Sequence, residues 1–122
     1  MMNSLIGLVA AWLVTGSAVM ANAQETDQSP LRQLAQAAID RTSHRVTYDG
    51  SYRRIDYPGG DVPDDVGVCT DLVIRAYRAA LGIDLQRAVH EDMTRAFEAY
   101  PPIWGLSRPD PNIDHRLSLI HI

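Results

Sequence analysis

The sequence predicts a single, mostly helical domain in which three helices surround a Gly/Pro-rich loop, with little strand. Three observations predict it. Apolar residues recur at i, i+3, i+4 spacing in three separate stretches, the mark of a helix with one buried face. Between the first and second stretch lies Tyr57-Pro58-Gly59-Gly60-Asp61-Val62-Pro63-Asp64-Asp65, whose two prolines and paired glycines exclude a regular helix or a central strand. A length of 122 residues allows one domain, at roughly 100–200 residues per domain.

The chain begins with an uncharged Met1–Ser4 and an almost wholly apolar Leu5–Met20, closed by Ala21-Asn22-Ala23 and a polar stretch. A short apolar core ending in small-x-small reads as a secretory signal peptide cleaved after Ala23, although no Arg or Lys precedes the core. The competing reading is a retained membrane anchor, for which the core is short of the ~20 residues a span needs. Cleavage gives an exported, periplasmic or secreted product of residues 24–122, with no stable membrane span.

Ser29-Pro30 suits a helix start, because Ser caps free amides and Pro is at home in the first helical position. Leu31, Leu34, Ala35, Ala38 and Ile39 then mark one face of a helix over Pro30 to Thr42. Asp49-Gly50, between Val46-Thr47-Tyr48 and Ser51–Ile55, suits the turn of a short hairpin, with a loop as the alternative. Cys69, Leu72, Val73, Ala76, Tyr77 and Ala80 mark a second helix over Val68 to Leu81, stopped by Gly82. Asp84 caps a third, with Leu85, Val89, Met93, Ala96, Phe97 and Tyr100 on its apolar face and Pro101-Pro102 at its end. Ile103 to His115 reads as irregular.

Composition excludes several functions. The chain carries 15 acidic and 11 basic residues, net −4, which argues against nucleic acid as a partner. All 11 basic residues are arginine, and without lysine there is no Walker-type phosphate loop, Schiff base or Ser–Lys dyad. The single cysteine allows no intrachain disulfide and no four-cysteine metal site. His90, Glu91 and Asp92 are consecutive on a helix and diverge, so no metal or other cofactor is expected. Asp64-Asp65, Arg53-Arg54 and the Arg75/Arg78 pair read as solvated or locally paired surface charges.

A lone thiol in an exported protein is unusual, because cysteine there is normally paired. Cys69 falls in the first turn of the second helix, where free amides favour the nucleophilic thiolate. Asp71 opposes that effect, since a nearby carboxylate disfavours the thiolate. The alternative is a small buried hydrophobe sharing a core face with Leu72 and Val73.

The stretches Tyr57–Pro63, Gly67-Val68-Cys69-Thr70-Asp71-Leu72-Val73-Ile74-Arg75-Ala76-Tyr77-Arg78, Val89–Met93, Tyr100-Pro101, Ile103–Leu106 and Arg108–Arg116 resemble the bacterial domain of unknown function family 1287. The resemblance covers Ala35 to Arg116. It implies an α+β fold, the N-terminal helical half of a papain-like (NlpC-type) hydrolase, whose sheet would follow in a longer chain. It also implies Cys69 as nucleophile, Tyr57 as a donor to the oxyanion, and His115 as a histidine lining the site. Val68 stands where that wider group usually has Asp, and Asp71 where Gly often follows. The chain leaves the family pattern at Leu117–Ile122, so a truncated product is expected, with 24–116 as the domain part and 117–122 as a non-native tail. That tail makes His121 a poor base.

The function implied is a secreted cell-envelope cysteine hydrolase acting on cell-wall peptides or other amides, expected to be inactive as this fragment. The alternative is a non-catalytic periplasmic binding or scaffold module with the same fold. Oligomeric state is not legible.

Overall fold

Ser29 opens the first helix as its spacing predicts: its Oγ accepts from the Arg32 amide at 3.3 Å, and Pro30 follows in the first helical position. A computed structural model describes residues 29–118. The elements are α1 (Pro30–Arg41), β1 (Thr47–Tyr48), β2 (Val66–Gly67), α2 (Cys69–Leu81), α3 (Leu85–Ala96) and α4 (Asp114–Ser118), with 3-10 turns at Phe97–Ala99 and Pro102–Trp104. The architecture is mostly helical with one small parallel sheet, compatible with the α+β class. The expected leader and most of the expected tail lie outside the described residues.

Helix α1 lies along α2, and α4 sits against α3 and the start of α2. The predicted apolar face of α1 is only half covered. Leu34 and Ala38 are half-buried, while Leu31 and Ile39 stay exposed, because α2 shields one flank alone. Gly82 ends α2 in the left-handed region at φ 64°, where its amide reaches the Arg78 carbonyl. Asp84 then caps α3 by accepting from the Gln86 amide at 3.1 Å.

Three expectations need correction. The third helix stops at Ala96, where a 3-10 turn over Phe97–Ala99 takes over, so it does not run to Pro101 and Tyr100 is not on it. The hairpin at Asp49-Gly50 does not form. Thr47–Tyr48 pairs instead with Val66–Gly67 in parallel, in the register Thr47 to Val66 and Tyr48 to Gly67. The Asp49 carboxylate accepts from the Ser51 amide and the Arg53 guanidinium, so the next donors are satisfied locally and no second strand is needed. The irregular stretch from Ile103 also closes earlier than expected. It contains the Pro102–Trp104 turn and gives way to α4 at Asp114, whose side chain accepts twice from the Asp110 amide.

The core is small and largely polar. Its buried apolar residues are Val62, Ile74, Ala76, Val89 and Met93, and they share the interior with Thr70, Asp71, Arg75, Gln86, Asp114, His115 and Arg116. Buried polar groups are tolerated when their hydrogen bonds are made. Gln86 shows how: its Oε1 accepts from the Gly60 amide, and its Nε2 donates to the Asp56 and Pro111 carbonyls. The turn-rich loop is thereby fastened to α3. No helix among the described residues is long and apolar enough to cross a membrane.

Candidate active site

Cys69 is the first residue of α2, and Val68 before it is extended, with φ −119° and ψ 177°. The thiol is exposed. Leu72 and Val73, on the same face, are each 37% exposed, so the reading of Cys69 as a core hydrophobe does not hold. Free amides at a helix start point along the axis towards such a side chain and favour negative charge on it.

The carboxylate of Asp71 is already committed elsewhere. It accepts from the Val68 amide at 2.6 Å and, on both oxygens, from the Arg116 guanidinium at 3.0 Å. Both side chains are almost wholly buried. Arg116 also donates to the carbonyls of Asp49 and Ser51, and its own carbonyl accepts from the Thr70 hydroxyl. The negative charge that opposed a thiolate is therefore met by a buried cation. Gly67 allows this approach, since a Cβ there would stand 3.1 Å from the Asp71 carboxylate.

Beside Cys69 opens a cavity of about 340 Å³, walled by α1's last residues, by β1 and by the β2–α2 junction. His44 and Tyr48 line it together with Cys69. The parallel pairing of β1 with β2 brings the two segments side by side. His44 Nδ1 lies 3.2 Å from the Asp40 carbonyl, which can only accept. In the neutral ring this contact assigns the proton to Nδ1 and leaves the lone pair on Nε2. Nothing in the sequence marked His44, a residue just past a helix end. The unforeseen strand pairing is what places it.

Arg75 also lines the cavity. Its expected role as a surface charge is wrong: it is 7% exposed, paired with Asp61 at 2.8 Å, and donates to the Val62, Pro63 and Val66 carbonyls. Desolvation is the largest influence and works against its charge, but the carboxylates of Asp61, Asp71 and Asp64 together outweigh it and raise the guanidinium's pKa.

The other two residues singled out in the sequence lie elsewhere. His115 is 2% exposed, lines no part of the Cys69 cavity, and has no partner for Nδ1 among the described residues. Burial lowers its pKa to about 4, so the ring is neutral at physiological pH. Tyr57 packs edge-on against His90, with ring centroids 5.0 Å apart, and is also outside that cavity. His90 Nδ1 in turn meets the buried Asp114 carboxylate at 2.9 Å.

Residues 35–119 match the family model described as a domain of unknown function (DUF1287). Over 83 residues the chain is 51% identical to the uncharacterized protein YijF of Escherichia coli (strain K12), covering 68% of this chain. It spans 40% of that relative's length. No solved structure matches.

Proposed function

The chain belongs to the domain of unknown function family DUF1287, and from that premise we propose that it is the nucleophile-bearing part of an exported cysteine hydrolase of the cell envelope, papain-like (NlpC-type) in ancestry. One observation carries this reading: Cys69 stands exposed at the first position of a 13-residue helix, on the wall of a cavity that also holds a histidine.

In the reaction proposed, the Cys69 thiolate attacks an amide carbonyl and the oxygen gains the displaced electron pair. Collapse of that intermediate expels the amine, which takes a proton from the imidazolium formed when the thiol was ionised. Water then hydrolyses the thioester and returns the thiol. Peptides of the cell wall supply amides of the required kind. Within this chain His44, on the wall of the same cavity, supplies the base through Nε2.

The test is alkylation by iodoacetamide at neutral pH. Cys69 is expected to label several-fold faster than a free-cysteine peptide, and His44→Ala to slow it. Cys69→Ser removes all labelling, since the chain has one cysteine. A rate equal to or below that of the peptide overturns the nucleophile and leaves a non-catalytic module.

A further inference from the structure

A second cavity, of about 590 Å³, shares no lining residue with the one at Cys69. It is lined mostly by polar groups from three parts of the chain: the segment after β1, helix α3 and the loop before α4.

The side-chain acceptors in and behind its wall are engaged by neighbouring groups. The Asp110 carboxylate takes hydrogen bonds from the Tyr52 hydroxyl at 2.9 Å and from both the amide and the side chain of Asn112. Asn112 Oδ1 accepts from the Ile55 amide at 2.9 Å, and its Nδ2 also donates to the Tyr52 oxygen. Asp114, fully buried, accepts from the Asp110 amide and from His90 Nδ1.

The donors are left over. Arg54 and Arg108 line the cavity, and neither makes a hydrogen bond or ion pair among the described residues. Arg108 lies close enough to Asp110 to favour its charged form. His90 lines the cavity too, its Nδ1 donating to Asp114. A guanidinium is permanently charged and offers paired N–H groups that fit a planar or tetrahedral oxyanion.

We propose that this cavity is a binding site for an oxyanion, the carboxylate or phosphate-ester group of a small ligand, gripped by Arg54 and Arg108. The buried Asp114 carboxylate fixes the His90 ring, which lines the site and reports on its occupancy. The Tyr52–Asp110–Asn112 network stiffens the wall from which Arg108 projects. The site stands independently of Cys69, because it needs no thiol chemistry.

The experiment is titration of the purified chain by calorimetry and by the His90 imidazole NMR signal. The probes are inorganic phosphate, N-acetylalanine and, as a neutral control, N-acetylalanine amide. Saturable binding of an anion but not of the amide is expected, with phosphate tighter if the natural ligand is a phosphate ester and the carboxylate tighter if it is not. Arg54→Gln and Arg108→Gln are each expected to weaken binding about tenfold, the loss of one charged hydrogen-bonding partner. Their melting temperatures are expected to change little, since neither guanidinium makes a hydrogen bond or ion pair among the described residues. Arg87→Gln, an exposed cation of α3 near Glu91, leaves affinity unchanged. Absence of saturable anion binding over the millimolar range, or equal weakening by Arg87→Gln, overturns the proposal.

Discussion

A neutral imidazole enclosed at His115 makes acid a specific threat to this fold. Burial is the largest cause of its lowered pKa, with Asp71 opposing and Arg116 assisting. Above pH 6.5 the ring is neutral whether the chain is folded or not, so it costs nothing. Between 6.5 and about 4 the unfolded chain takes up a proton that the folded chain refuses, and stability falls as pH falls. The full effect is about 3 kcal/mol, from the linkage between the two pKa values. Asp114 works in the opposite sense, because burial raises its carboxyl and acid favours it. Thermal melts from pH 7 to 4.5 are expected to show a falling Tm, and His115→Leu to flatten that fall. An unchanged slope in the variant overturns the assignment to His115. The family-like pattern singled this residue out in the sequence. Its burial was not legible there, because it sits on the short α4, packed between α2 and α3, which local periodicity does not reveal.

At the level of elements, a glycine decides how closely the loop can fold on itself. A Cβ on the buried Gly60 would overlap the Asp56 backbone, including its carbonyl. Gly60→Ala is therefore expected to destabilise the protein by about 1–3 kcal/mol in denaturant unfolding, the range for overpacking. Gly50→Ala, whose added carbon meets only a Val68 methyl at 3.6 Å, is expected to cost much less. The three long helices were legible to within a residue at most ends, since Ser29, Gly82 and Asp84 act locally through caps. The parallel β1–β2 pairing was not, because its partners are separated by the whole turn-rich loop. Asp49-Gly50 misled for the same reason: a side-chain acceptor at Asp49 competes with hairpin closure. Of the candidate site, the cysteine and its helix start could be read from the chain, whereas His44 depended on that pairing.

Across the whole molecule, the interior is held by charge as much as by apolar packing. The Asp71–Arg116 pair is the clearest case, with side chains 3% and 4% exposed. Removing one partner leaves the other buried and unmatched, so Arg116→Met is expected to cost about 3–5 kcal/mol. Adding Asp71→Asn keeps an acceptor for the Val68 amide, removes the stranded charge, and is expected to recover much of the loss. A double-mutant cycle by chemical denaturation measures this coupling, and simple additivity would count against it. Sequence gave no sign of it, since isolated Asp and Arg residues usually sit in solvent. The pair also joins positions 45 residues apart. While the protein is being made, the ribosome delivers the first turn of α2 well before the guanidinium that its carboxylate requires. The thiol's surroundings therefore mature late, once residue 116 has emerged, and a nascent chain carries its sulfur in an unfinished setting until then.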